Sequence, residues 1–284
     1  MCLDILLKLF GKKEEVHTSE EEITEEMISN EEEVIEEPIT NQEEIVENED
    51  TNNNVTEPIE PVITEPINEP YYGDSDLVIL LDNGHASSTP GKRSPKLPDG
   101  RQFFEYEFNR DVVRRIARRL TDMGIKNYIL VPEVDKDVAL TTRANRANEY
   151  CKKYGTKNCL FISVHSNALG DGSKWMDAGK WSVWTTVGVT KSDAYAKTFY
   201  NVAEEMLAPY GFGCRDGKVQ GNGNAGPDYE ENFTVIYKAW CPAILTENLF
   251  YTNKRECEFL MSDEGRQVIA NIHVEAIKRI IQNS

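Results

Sequence analysis

Leu77-Val-Ile-Leu-Leu-Asp-Asn-Gly-His85 decides how this chain is read: five consecutive apolar residues run into a polar turn that carries a histidine. A short unbroken apolar run of this kind suits a strand buried on both faces of an α/β sheet. Downstream, Phe108, Val112, Val113, Ile116, Ala117 and Leu120 recur at helical spacing with arginines on the opposite face. Tyr128–Val131 reads as a second strand, about Val138 to Tyr154 as a helix, and Cys159–Val164 as a third strand. Trp181–Val187 follows as a strand and Ser192–Leu207 as a helix, while Phe233–Tyr237 and Ala243–Leu245 complete the sheet. The final helix, about Glu264 to Ile281, carries Val268, Ile269, Ile272, Ala276 and Ile280 as one stripe. Strands alternating with helices predict a three-layer α/β domain with a mainly parallel sheet flanked by helices.

Upstream of this domain the composition changes. The 284-residue chain has a formal net charge of −18, but residues 1–76 hold 24 of its 49 acidic residues and only 3 of its 31 basic ones. That segment carries −21, and residues 77–284 carry +3. From Glu14 to Pro70 there is no Lys, Arg, Gly, Phe, Tyr or Trp. Such a stretch cannot bury enough apolar surface to offset its chain entropy, so residues 14–76 are expected to be a disordered acidic linker. An imperfect Thr-Glu-Pro-Ile repeat at Thr56–Ile59 and Thr64–Ile67 favours an extended tether. Residues 1–13, beginning MCLDILLKLF, are short and apolar or amphipathic. Asp4 comes early and Lys12 and Lys13 come late, which is not the order of a secretory signal; contact with a membrane surface is the alternative role. No apolar run reaches the ~18–20 residues of a membrane span. Synthesis in the cytoplasm is therefore expected. Six cysteines without a C-x-x-C pair are expected to be free thiols.

The chemistry concentrates at strand ends. His85 follows the first strand, His165 the third, and Glu247 follows Ala243–Leu245. Glu105 opens the first amphipathic helix near the same edge. In parallel sheets functional groups gather at the carboxyl ends of strands. Two imidazoles and a carboxylate form the ligand set of a catalytic zinc, and a further carboxylate nearby would serve as general base and acid. Each residue taken singly also fits an ordinary structural role: a hydrogen-bonded loop histidine, or an acid favoured in a helix's first turn. The coincidence of several at one sheet edge is what points to a metal. His273, inside the last helix, is read as a packing histidine, and Trp175, Trp181 and Trp184 as core. Gly211–Gly226 is read as a flexible loop, since no strand–turn–helix unit surrounds it.

Five collinear motifs resemble the zinc-dependent N-acetylmuramoyl-L-alanine amidases of the Amidase_3 family: LVILLDNGH, GKRSP followed by EYEFNRDVVRRIARRL, LTTRANRAN, FISVHSNA and PAILTENLFYTN. The resemblance covers about Leu77 to Ile281. It implies His85, Glu105 and His165 as ligands of one zinc ion per chain, and Glu247 as the catalytic carboxylate. Glu105 is preferred over Glu107 because apolar Phe108, Val112 and Val113 lie three, seven and eight positions after it, whereas arginines follow Glu107 at that spacing. Two features depart from the family pattern: Asn83 replaces its usual proline, and the loop Thr89 to Arg101 is long. Asn167 and Asn248 are read as loop-shaping side chains. The implied activity is hydrolysis of the amide between N-acetylmuramic acid and L-alanine in peptidoglycan, at the bacterial cell wall, in remodelling or as a phage lysin. No nucleic-acid partner is expected. A zinc peptidase or deacetylase and a non-catalytic wall-binding module are the alternatives.

Overall fold

The computed structural model describes residues 70–217 and 226–284. The expectations for residues 1–13, for residues 14–69 of the acidic linker and for residues 218–225 of the glycine-rich stretch lie outside the described residues. Six strands form one sheet: β1 (Val78–Asn83), β2 (Asn127–Ile129), β3 (Cys159–Asn167), β4 (Ser182–Thr185), β5 (Tyr229–Glu230) and β6 (Ala243–Phe250), in the order β2-β1-β3-β6-β4-β5. All neighbours are parallel except β4 and β6. The helices are α1 (Glu105–Asp122), α2 (Leu140–Tyr154), α3 (Lys191–Leu207), α4 (Thr234–Tyr237), α5 (Lys254–Met261) and α6 (Asp263–Gln282). The expected three-layer α/β architecture is what the chain adopts.

Alternation along β1 shows why the apolar run is unbroken. Ile79 and Leu81 join one cluster with α1, α3 and α6, while Val78 and Leu80 join the other with α2 and α4. Both faces are covered, so neither can be polar. α1 turns Phe108, Val112, Val113, Ile116 and Leu120 inward. Residues ahead of β1 also dock: Tyr72 N–H donates to Met123 O at 2.8 Å, and Gln282 Nε2 to the Tyr72 hydroxyl at 2.8 Å. Among the described residues, no helix is long and apolar enough to cross a membrane. Cys151, Cys159, Cys214, Cys241 and Cys257 are free and buried.

The fold differs from the sequence reading on three points. Phe233–Tyr237 is not a strand: Thr234–Tyr237 forms the short helix α4, with Tyr237 N–H donating to Phe233 O at 2.8 Å, and the edge of the sheet is Tyr229–Glu230. Adjacent Val235 and Ile236 are both buried, which one helical turn allows and a strand with a single covered face does not. α5 had no counterpart in the sequence reading; Asn253 Oδ1 caps it by accepting from Glu256 N–H at 3.2 Å. Finally, β3 and β6 run on past Val164 and Leu245, so His165 and Glu247 lie within strands rather than after them.

Candidate metal centre

β1, β3 and β6 are adjacent parallel strands, and their carboxyl ends carry the chemistry. β3 and β6 pair with His165 opposite Glu247, and the register shifts between His165 and Asn167. β1 ends opposite Val164, and the turn Gly84-His85 follows, with Gly84 N–H donating to Val164 O at 3.1 Å. A Cβ at position 84 would run into the His165 ring, so glycine is what lets the two histidine-bearing segments close up. His85 itself has φ 65°, a left-handed conformation held by Arg110 Nη2 donating to its carbonyl at 2.8 Å. Asn109 Nδ2 donates to Gly84 O at 3.1 Å from the same helix.

Glu105 is the first residue of α1, and its N–H donates to Lys92 O at 3.0 Å. The long loop Thr89 to Arg101 thus folds back to seat the helix start, through the Arg93–Phe104 bridge and the bond from Ser94 N–H to Phe103 O at 3.1 Å. The Glu105 side chain is 2% exposed. Its Oε1 accepts from Ser166 N–H at 3.2 Å and lies 3.1 Å from His165 Nδ1; its Oε2 lies 3.4 Å from His85 Nε2 and has no hydrogen-bond partner. The two imidazole rings meet edge to face, 5.0 Å between centroids. One donor atom from each of His85, Glu105 and His165 falls within 4.8 Å of the other two. Glu105, not Glu107, is the acid in this cluster; Glu107 is exposed and bonded to the Tyr106 hydroxyl at 2.9 Å.

Electrostatics separate the two carboxylates. Burial alone would raise Glu105, but His85, the hydrogen bond to His165 and the charge of His165 outweigh it and hold the carboxyl at about 2. Glu247, also buried, is pushed up to about 7, because burial dominates, His165 opposes it and the Glu105 charge adds to it. Its Oε2 is buried without a hydrogen-bond partner. Burial lowers His85 to about 4, whereas His165 is raised: the Glu105 hydrogen bond and charge overcome its desolvation. Two nitrogen donors around an anionic carboxylate, with one carboxylate oxygen unmet, suit a divalent cation taking the place of a proton.

The supporting residues were less visible in the sequence. Arg143, from the LTTRANRAN motif, is 1% exposed. It donates to Asp82 Oδ1 at 2.9 Å, Asn83 O at 3.0 Å, Val138 O at 2.7 Å and Asp137 Oδ1 at 2.9 Å. Ser163 Oγ donates to the other Asp82 oxygen at 2.6 Å. Asp82 belongs to the first histidine motif, so two separately recognised motifs form one buried network; the signal available was a pair of opposite charges inside apolar-flanked segments. Asn248 donates to His165 O at 2.8 Å and accepts from Trp181 Nε1 at 2.8 Å, and Asn167 Oδ1 accepts from Ala168 N–H at 2.8 Å. Both shape backbone around the cluster. His273 lies apart, fully buried, bonded to Thr246 Oγ1 at 3.0 Å and Ile269 O at 2.8 Å. Trp181 is fully buried, and Trp175 and Trp184 are partly buried against the core.

A family model described as N-acetylmuramoyl-L-alanine amidase (Amidase_3) matches residues 79–279. The endolysin of Bacillus phage SPP1 is 24% identical over 208 residues, covering 72% of this chain and 66% of that protein. N-acetylmuramoyl-L-alanine amidase CwlM of Bacillus licheniformis is 28% identical over 207 residues, covering 71% and 67%. The chain thus spans about two thirds of the length of these relatives. Among solved structures, an N-acetylmuramoyl-L-alanine amidase from Clostridium difficile 630 superposes with a TM-score of 0.57 at 20% identity, over 73% of this chain and 98% of that one. The catalytic domain of CwlV from Bacillus (Paenibacillus) polymyxa gives 0.55 at 18% identity, over 73% and 99%. At these identities the structural likeness speaks for the fold.

Proposed function

The chain belongs to the N-acetylmuramoyl-L-alanine amidase (Amidase_3) family, and from that premise we propose that it hydrolyses the amide joining N-acetylmuramic acid to L-alanine in bacterial peptidoglycan, using one zinc ion. The observation that carries this reading is the convergence of His85, Glu105 and His165 beside a second buried carboxylate, Glu247. His85, Glu105 and His165 would hold the metal. A zinc ion bound there supplies a Lewis acid and an acidified water at neutral pH.

The rest falls to this chain's own groups. Glu247 is positioned by strand register beside His165, and burial places its proton affinity near neutrality. A carboxylate so poised takes a proton from the attacking water and delivers it to the departing L-alanine nitrogen. The products are the lactyl carboxylate and a free amino terminus, so the water's atoms are fully accounted for. Asn248 keeps the His165 backbone in place, and Arg110 and Asn109 fix the His85 turn. Residues 77–284 would act as the catalytic domain at the cell wall, in remodelling or lysis, with residues 14–76 as an acidic tether and residues 1–13 as a membrane-surface contact.

Digestion of purified sacculi and of defined muropeptides, followed by mass spectrometry, tests the reading. New peptides beginning at L-alanine, paired with peptide-free muramic acid, are expected. Cleavage only within the stem peptide, or loss of acetyl groups, would replace the amidase with a peptidase or deacetylase. No cleavage by zinc-loaded protein would leave a wall-binding module. A chain lacking residues 1–69 should hydrolyse soluble muropeptides at the full-length rate.

A further inference from the structure

Beyond Glu247, on the β4–β5 side of the sheet, a guanidinium is clasped by two aromatic rings. Arg215 Cζ lies 5.4 Å from the Tyr229 ring centroid and 5.6 Å from that of Phe250. Tyr229 is 7% and Phe250 2% exposed, and Tyr229 stacks on Trp184 at 4.7 Å. These rings are locked by packing, so the cation between them is held in place. No carboxylate or other hydrogen-bond acceptor among the described residues engages the guanidinium. A half-buried arginine with a fixed location and unused N–H donors is a ready receptor for a carboxylate.

Register ties this receptor to the proposed site. Arg215 N–H donates to Trp181 O at 2.7 Å, and Trp181 N–H to Gly213 O at 3.0 Å, so this segment runs as an extra strand beside the start of β4. The next residue of β4, Ser182, is the partner of Glu247 across the sheet. Two lateral spacings of ~4.8 Å put the Arg215 backbone about 10 Å from that of Glu247. Between Arg215 and solvent lies a cleft of about 560 Å³, whose wall also carries Lys180 and Asn253 and the acidic Asp177, Asp216 and Glu256. Glu256 staples this wall to the end of β6: its two oxygens accept from Lys180 N–H and Phe250 N–H, each at 2.7 Å. Lys180 has φ 82°; His85 and Leu249 are the other non-glycine residues with positive φ among the described residues, and both flank the metal centre. Such backbone costs energy and collects where geometry is functional.

We propose that this cleft receives the stem peptide, and that Arg215 binds its first free carboxylate, the one on the residue after L-alanine, making that carboxylate a determinant of substrate choice. The inference rests on the amidase reading. At ~3.4 Å per extended residue, that carboxylate lies about two residues from the scissile nitrogen, and the arginine side chain spans the remaining gap to the cleft wall.

Two synthetic muramyl pentapeptides, differing only in a free carboxylate or a carboxamide on the second residue, test it with zinc-loaded full-length enzyme. The wild type should favour the carboxylate form roughly 10- to 100-fold in kcat/KM, mainly through KM, as expected for a charge-assisted pair. Arg215→Gln should remove that preference by lowering only the carboxylate rate, and Arg215→Lys should restore part of it. Undiminished turnover of the carboxamide shows that the variant is folded. Equal wild-type rates on both substrates, or equal losses on both in a variant that unfolds like the wild type, overturn the Arg215 assignment and leave the amidase standing. Cleavage of neither by the wild type overturns both.

Discussion

Replacing Arg143 by methionine should destabilise the domain by about 4 kcal/mol, and the cause can be separated from ordinary packing loss. The guanidinium is 1% exposed, like Asp82, and methionine keeps most of its aliphatic volume. What disappears is the partner of a buried carboxylate, for which removal of one member costs about 3–5 kcal/mol. Donors to the carbonyls of Asn83 and Val138 go as well, while Ser163 Oγ still serves Asp82 and limits the damage. The Asp137 contact adds little, since that side chain is 42% exposed and screened. For a domain of this size each kcal/mol moves Tm by roughly 2–4 °C, so thermal unfolding followed by circular dichroism should fall by about 8–16 °C. Combining Arg143→Met with Asp82→Asn removes the charge that was left alone, and the double variant should recover at least half of the loss. A single-variant loss under about 1 kcal/mol, or a double variant whose losses simply add, would refute a buried charge network.

Other outcomes follow from the site. Glu247→Gln should retain zinc, as read by elemental analysis, while kcat on muropeptides falls by about 10²- to 10⁴-fold; ordinary lysis by that variant would remove Glu247 from the chemistry. Chelation should abolish hydrolysis and lower Tm, with both restored by zinc, because a ligand at a thousandfold excess over its Kd adds about 4 kcal/mol of stability. A chelated protein that keeps its activity and Tm excludes the metal. His273 is fully buried, and burial lowers it to about 4, against 6.5 for an exposed imidazole, with the Ile269 carbonyl partly opposing. The unfolded chain therefore binds this proton more tightly. Stability from His273 is complete above pH 6.5 and declines by up to about 3 kcal/mol as pH falls toward 4. Denaturant melts at several pH values should show a shallower decline for His273→Gln over that window, and parallel curves would count against it.

The fold was legible where burial is uniform along an element. Leu77–Leu81 is covered on both faces, so its composition alone identifies a central strand, and α1 and α6 expose enough turns for a period to show. Legibility failed where an element is shorter than its own period. Phe-Thr-Val-Ile-Tyr has strand-like composition, yet one helical turn fits Val235 and Ile236 into the α2 side of the core. α5 carried a usable signal, Asn253 followed three residues later by Glu256, which is the pattern of a capped helix start. Strand ends were also underestimated, because Thr246-Glu247-Asn248 looks polar although every residue of β6 is buried.

Polar burial is also what hid half of the site. Histidines announce themselves by rarity, and their positions after apolar runs placed His85 and His165 at one edge. Asp82 and Arg143 are 61 positions apart, and a charged residue in one-dimensional sequence looks the same whether solvated or buried. Only the fold reveals that the arginine binds the carbonyl of Asn83, two residues before His85, and the side chain of Asp82 at the same time. The turn it anchors carries a left-handed histidine, and such backbone costs roughly 1–3 kcal/mol unless its surroundings impose it. Arg143 fixes the chain before the turn, Arg110 holds the His85 carbonyl, and Asn109 holds Gly84. Three side chains from two helices thus impose a conformation that the turn would not adopt alone. The same logic separates Arg143 from Arg215. Both are arginines with restricted surroundings, but the first spends its donors on the protein, whereas the second is gripped by rings and its guanidinium meets no acceptor among the described residues.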